Sequence, residues 1–202
     1  MMKAVRTILA PVAAALMLVA TSSSAAVLTT KMAVDNGYSV YLSTADNVQG
    51  TLFGSGNDWT TTFVNSTNLT AGTYYLHIAA YDQGGIAGFL GEFSIAGSGF
   101  KFANGQTTLT TNTTNWMGNN TGFASAYGAL GSLGTDGVGP WGNRPNIVDS
   151  ATWIWAGDAN NDNVAYFTTK ITAVPEPTTV ALLGLGLMGL GLARRRSSKA
   201  GK

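Results

Sequence analysis

Cysteine is absent from the 202 residues of this chain, and histidine occurs once, at position 77. Without cysteine there are no disulfides, so the fold must be stabilised by core packing, with or without a bound ion. One histidine and no cysteine also exclude the usual zinc ligand sets. His77 lies between Leu76 and Ile78, and no serine lies in a nucleophile motif. We therefore predict a structural histidine, not a catalytic one.

Charged residues are scarce, at 10% of the chain, where soluble proteins typically carry about a quarter. Most of the positive charge sits near the two ends. Residues 27–174 contain four basic and nine acidic residues, which gives this middle part a net charge of −5. An acidic surface does not follow a phosphate backbone, so we predict no nucleic-acid partner.

The first 26 residues have the pattern of a secretory signal peptide. Lys3 and Arg6 precede an apolar run, Ile8–Ala20, and small residues follow as far as Ala26. Signal peptidase accepts small residues of this kind, so we expect cleavage after Ala26, with Ala25 as the alternative. The competing interpretation is a buried N-terminal helix.

The middle of the chain, residues 27–173, predicts a single extracytoplasmic all-β domain, a β-sandwich. Short runs of Thr, Val and aromatic residues alternate with Gly, Asn and Asp clusters, which is the pattern of strands and turns. No helix-period stretch of useful length interrupts it. The expected strands are Tyr38–Ser43, Trp59–Asn65, Thr73–Tyr81, Phe89–Ile95, Thr152–Trp155 and Val164–Thr172, with weaker signals at Gly99–Phe102 and Thr107–Thr110.

The segment Ala103–Asp149 is rich in Gly, Asn and Thr and has few strand signals. We interpret it as a long loop or an insert of the sandwich. Trp116 and Trp141 lie within it, and we expect them to be the more exposed tryptophans. An exposed indole offers a flat apolar face to a sugar ring, so both are candidate ligand-binding residues. The alternative for each tryptophan is a place in the core, because large aromatics dominate core burial.

An acidic loop near the end of the domain suggests calcium. Asp158, Asn160 and Asp162 place oxygens at alternate positions, as calcium loops do. The segment is not an EF-hand, because it has Asn163 at position six and Thr169 at position twelve. A structural calcium held by these three residues, with help from Asp35 or Asp46, is one hypothesis. An ordinary Asn/Asp turn is the other.

The tail, residues 174–202, combines a proline motif, an apolar run and a basic cluster. The run Val180–Ala193 would span about 21 Å as a helix, short against a hydrocarbon core of about 30 Å. Basic residues stay cytoplasmic, which places the middle of the chain outside and predicts a transmembrane-type helix. An unprocessed C-terminal anchor is the alternative. The motif residues are Pro175, Glu176, Pro177, Arg194, Arg195 and Arg196.

This tail resembles the PEP-CTERM domain, the sorting signal of exosortase substrates in Gram-negative bacteria. The resemblance implies recognition and removal of the tail by exosortase, with an inner-membrane intermediate during transit. Exosortase and signal peptidase are therefore the two expected processing partners. It also implies a final place at the cell surface or in the extracellular matrix, and an association with exopolysaccharide and biofilm.

Two segments of the middle resemble galactose-binding-like jelly-roll domains. Ala33–Leu42 is similar to their opening strand, and Ala71–Glu92 is similar to a later hairpin. Asp82 lies in that hairpin, where it can bond turn amides beside Gly84 and Gly85. The resemblance implies a jelly-roll-like sandwich and makes Asp82 a third candidate ligand-binding residue.

These patterns predict a non-enzymatic exported protein that binds exopolysaccharide. The alternative is a calcium-stabilised structural or adhesive biofilm component without sugar binding. A glycosidase would need two carboxylates across a cleft, and none of the nine acids is marked by its surroundings as one of such a pair.

Overall fold

The computed structural model describes residues 25–174 and five separate helical positions, 183, 184, 186, 187 and 189. The predicted signal helix and the remainder of the predicted tail helix lie outside the described residues. Within the described part, twelve strands form two antiparallel sheets. In chain order these are β1 Ala26–Asp35, β2 Gly37–Ser43, β3 Thr51–Gly56, β4 Phe63–Leu69, β5 Tyr74–Tyr81, β6 Gly88–Ala96, β7 Phe100–Phe102, β8 Thr108–Thr110, β9 Met117–Asn119, β10 Gly131–Thr135, β11 Thr152–Trp155 and β12 Val164–Ala173.

The predicted all-β sandwich is confirmed. Sheet A has the strand order β10-β11-β6-β1-β4, with β8 also paired to β6. Sheet B has the order β3-β2-β5-β12-β7, with β9 also paired to β12. The predicted strand Thr73–Tyr81 has apolar residues on both faces, which is typical of a central strand, and β5 does lie between β2 and β12.

The main core fills the space between the two sheets. Strand alternation explains it, because successive side chains of a strand point to opposite faces. In β1, for example, Leu28 and Met32 lie in this core, while Ala33 belongs to a separate cluster. Phe89 and Phe167 meet across the two sheets with ring centroids 4.9 Å apart, a spacing typical of favourable aromatic pairs.

A second apolar cluster involves strands β1 and β6 of sheet A. Ala33 and Leu90, which are paired partners in these strands, pack there against residues that follow β10. The segment interpreted as a loop therefore covers part of the sheet, and it also contains the short strands β8, β9 and β10. The other buried members of the cluster are Trp141, Ile147, Ala151 and Trp153.

Five of the six main expected strands are confirmed to within a residue or two at each end. The sixth, expected at Trp59–Asn65, begins only at Phe63. The Asp58 carboxylate accepts hydrogen bonds from the Thr60 amide and from the hydroxyls of Thr60 and Thr61. This Asx turn keeps the residues just before Phe63 out of the sheet. Strands β3, β9 and β10 were not expected, and most of β1 was missed.

Candidate functional site

The end of the sandwich where β1 turns into β2 brings several of the candidate residues together. Asp35 ends β1, and Asp82 follows β5. The Asn36 amide donates to the Tyr81 carbonyl at 2.7 Å, and the Asp82 amide donates to the Asn163 carbonyl at 2.9 Å. Three loops, at residues 35–36, 82–87 and 157–163, therefore meet at this corner of the fold.

Asp82 performs the turn-bonding role that the sequence suggested. Its Oδ2 accepts the Gly84 amide at 2.9 Å, and Gly84 and Gly85 have φ angles of 115° and 110°. Only glycine adopts such angles without strain. The residue is only 7% exposed. Its second oxygen, Oδ1, is buried and has no hydrogen-bond partner.

Asp35 lies beside this turn and is half-buried. Its Oδ2 accepts a hydrogen bond of 2.9 Å from the Trp141 indole nitrogen. Burial raises the pKa of the Asp35 carboxyl above its usual range, the bond from Trp141 opposes that rise, and the negative charge of Asp82 adds to it. The negative charge of Asp82 is thus felt at the Asp35 carboxyl.

The expectation that Trp116 and Trp141 are exposed is wrong. Trp116 is 1% exposed and Trp141 is 2% exposed. Trp116 packs edge-on against Phe89, with ring centroids 5.4 Å apart, and its indole nitrogen donates to the Thr110 carbonyl at 3.2 Å. The Gly- and Asn-rich sequence around these tryptophans correctly indicated loops. These loops pack over the sheets, however, so both indoles point into the core. Neither indole offers a face to a sugar.

Trp141 forms a stacked pair with Trp153, with ring centroids 4.4 Å apart and an interplanar angle of 18°. Gly88 makes this pair fit, because a Cβ there would lie 2.8 Å from the Trp141 ring and 2.9 Å from the Trp153 ring. The pair fills the second cluster and leaves no room for a ligand between the rings.

Trp59 is the partly exposed tryptophan, and it is covered on one side by an arginine. The guanidinium carbon of Arg144 lies 5.4 Å from the Trp59 ring centroid, within the range of a cation–π contact. Arg144 Nη1 also donates to the Trp59 carbonyl at 3.2 Å, and Nη2 donates to the Trp141 carbonyl. Arg144 therefore ties the covering segment to the loop before β4.

The proposed calcium loop has the hydrogen bonds of an Asx turn. Asp158 Oδ1 accepts the Asn160 amide at 2.9 Å, and its Oδ2 accepts the Asn161 side-chain amide at 2.6 Å. Asp162 Oδ2 accepts the Asp158 amide at 2.7 Å. Bonds from the Asn160 amide and the Asn161 side chain lower the pKa of Asp158. The turn alternative accounts for this geometry, and calcium binding by Asp158, Asn160 and Asp162 stays a prediction.

His77 is fully buried on β5. Its ring stacks on Phe123 with centroids 4.8 Å apart. Both ring nitrogens face oxygens of the β2–β3 loop: Nε2 lies 3.4 Å from Asp46 Oδ1, and Nδ1 lies 3.3 Å from the Gln49 carbonyl. The Thr168 hydroxyl donates to the same Asp46 oxygen at 2.6 Å. This cluster anchors the β2–β3 loop to sheet B, as a structural histidine would.

A shallow groove runs along β8, where the sequence predicts only a weak strand. Its volume is about 410 Å³. Glu92 Oε1 forms an ion pair with Lys31 Nζ at 2.8 Å, and Glu92 Oε2 accepts a hydrogen bond from the Val148 amide at 3.0 Å. Five of the eight residues that form the wall carry a hydroxyl or amide group, and the exposed wall is about equally polar and apolar. The wall consists of Glu92, Asn104, Thr108, Leu109, Thr110, Asn112, Val148 and Ser150.

The comparisons with known proteins concern the tail. Residues 173–196 match the family model of the PEP-CTERM protein-sorting motif. The match contains all six predicted sorting residues, and it supports an exported, exosortase-processed protein with a membrane-anchored intermediate. Those six residues lie outside the described part of the structure. Among the described residues, no helix is both long enough and apolar enough to cross a membrane.

The remainder of the chain has no counterpart in the comparisons. No curated protein and no solved structure shows significant similarity to it. The sandwich is established by the structure, while the finer likeness to galactose-binding-like domains stays a prediction.

Proposed function

We propose that this chain is a non-enzymatic structural component of the cell surface or extracellular matrix of a Gram-negative bacterium, delivered there by exosortase. The observation that carries the proposal is the sorting motif at residues 173–196. The acidic body, with a net charge of −5 over residues 27–174, suits a protein that must stay soluble outside the cell.

The side chains of the body support a structural role. Four of the five tryptophans are at most 2% exposed, so their surface is used for packing. The one histidine is fully buried between a phenylalanine ring and the β2–β3 loop. Such groups stabilise a sandwich in the absence of disulfides.

Fractionation of cells with and without exosortase tests this proposal. The protein is followed with an antibody against its body in the inner membrane, at the surface and in the matrix. We expect the protein at the surface or in the matrix of the wild-type host, and accumulation in the inner membrane without exosortase. Identical distributions in both hosts would refute the proposal.

Exopolysaccharide binding is a second candidate, and the groove along β8 favours it. Two of its amides are held in place: Asn104 Nδ2 donates to the Thr108 carbonyl at 2.9 Å, and Asn112 Nδ2 donates to the Thr110 carbonyl at 2.8 Å. These two amides and the neighbouring hydroxyls of the groove wall suit the hydroxyls of a sugar chain, and the half-exposed Val148 adds an apolar contact.

Retention of the protein on the host's own polysaccharide tests this candidate. Ser150→Ala, Thr108→Val and Thr110→Val change the groove wall, and Thr172→Val is the control on an exposed part of β12. Loss of retention in the groove variants and not in the control would support sugar binding. Equal retention by all variants would remove the groove as the site.

A further inference from the structure

The buried oxygen of Asp82 is the least satisfied group at the corner where β1 turns into β2. Asp82 is 7% exposed, and its Oδ1 has no hydrogen-bond partner. A buried carboxylate oxygen without a donor carries a large desolvation penalty, so native proteins pair such groups or bind a metal to them. The turn amide of Gly84 satisfies only the other oxygen, Oδ2.

A second carboxylate, that of Asp35, lies in the adjacent segment of this corner, where the Asn36 amide donates to the Tyr81 carbonyl. The charge of Asp82 contributes to the raised pKa of the Asp35 carboxyl, because a like charge nearby disfavours the ionised form. Within residues 25–174, the ion pairs are Lys31 with Glu92 and His77 with Asp46. Neither Asp35 nor Asp82 therefore has a basic side chain as a partner in the described part of the chain.

We propose that Asp35 and Asp82 hold a calcium ion at this corner. A divalent cation would satisfy Asp82 Oδ1 and neutralise both carboxylates. Among the described residues no group of three His, Cys, Asp or Glu side chains converges, so the other ligands would be backbone or amide oxygens and water. Calcium accepts such mixed oxygen sets in irregular geometry, whereas magnesium requires a near-ideal octahedron.

This site is distinct from the loop that the sequence suggested. The carboxylates of Asp158 and Asp162 already accept amides of their own turn, whereas Asp82 Oδ1 accepts none. The loop contributes indirectly, because the Asn163 carbonyl accepts the Asp82 amide at 2.9 Å. Asn163 thus positions the residue that binds the ion.

Calcium titration of the full chain tests the proposal, with thermal unfolding and tryptophan fluorescence as two readouts. Calcium at a hundredfold excess over its Kd should raise Tm by about 5–10 °C over the value in chelator. It should also change the fluorescence of Trp141, whose indole nitrogen bonds Asp35. Asp82→Asn and Asp35→Asn should both lose these responses. Asp158→Asn and Asp149→Asn should keep them.

In chelator, the Tm of Asp82→Asn should differ from that of the wild-type protein in the opposite direction to its Tm in calcium. Without the ion, Asp82→Asn removes one of two repelling charges, so its Tm in chelator should equal or exceed that of the wild-type protein. A wild-type Tm unmoved by calcium, or a full response in Asp82→Asn, would overturn the proposal. Loss of the response only in Asp158→Asn would also overturn it, because the ion would then belong to the loop. Failure of exosortase processing would leave this result unaffected.

Discussion

Trp141 Nε1 donates a hydrogen bond of 2.9 Å to Asp35 Oδ2, and the two residues are 106 positions apart in the chain. The bond joins the segment that covers sheet A to the corner where β1 ends. It satisfies an indole donor inside the second apolar cluster and provides a donor for a half-buried carboxylate.

Trp141→Phe should lower the free energy of unfolding more than Trp153→Phe does. Both changes replace one indole of the stacked pair by a smaller phenyl ring. The Trp153 indole nitrogen, however, is buried and has no hydrogen-bond partner. Only Trp141→Phe removes a hydrogen bond to a carboxylate, which is worth about 1.5–3 kcal/mol. Urea denaturation of the two variants should show a difference of this size, and equal losses would contradict the role of the bond.

Gly88→Ala should destabilise the fold by about 1–3 kcal/mol, because a methyl group there overpacks the ring pair. Its Cβ would lie 2.8 Å from the Trp141 ring and 2.9 Å from the Trp153 ring. Gly131→Ala in β10 is the control, since the nearest atom to its Cβ is 3.7 Å away. Chemical denaturation of both variants tests the prediction, which a stable Gly88→Ala protein would refute.

Thr168→Val should loosen the β2–β3 loop and reduce stability by about 1–2 kcal/mol. It removes the 2.6 Å bond to Asp46 and leaves the shape of the side chain almost unchanged. Hydrogen exchange should become faster at residues 44–50 in this variant. Thr172→Val, on an exposed position of the same strand, should leave exchange in that loop as it is. Unchanged protection of the loop in Thr168→Val would show that Asp46 does not anchor it.

Tyr38 should make stability fall at high pH. Burial raises the pKa of its phenol from 10.0 to about 12, while the bond from Asn65 opposes the rise. Between these two values the folded state holds a proton that the unfolded state has released, so the free energy of unfolding decreases as pH rises through this window. Tyr38→Phe should show a smaller decrease over the same window. An identical decrease would assign the pH dependence to other groups.

Composition and periodicity were sufficient to predict the class of the fold. The scarcity of Lys and Glu and the alternation of β-branched residues with turn residues indicated an all-β sandwich. The predicted strand Thr73–Tyr81 also has the pattern of a central strand, because a strand covered on both sides needs apolar residues at successive positions.

The positions of the tryptophans could not be read in the same way. Loop composition indicates where the chain turns but not whether the loop then folds back over a sheet. Trp116 and Trp141 lie in Gly- and Asn-rich stretches, yet both are buried because the segments between β7 and β11 cover the sandwich. The relation of Asp35 to Asp82 was equally hidden, since the pairing of β2 with β5 brings their segments to one corner and their spacing in the sequence does not show this.

The mass of the mature protein tests whether exosortase removes the tail. The chain is expressed in a host that contains exosortase, and the C-terminal peptide of the mature protein is mapped by mass spectrometry. We expect the mature terminus to lack Arg194, Arg195 and Arg196, and we expect all three to be retained when Pro175, Glu176 and Pro177 are replaced by alanine. A mature protein that still ends at Lys202 with the motif intact would contradict this expectation.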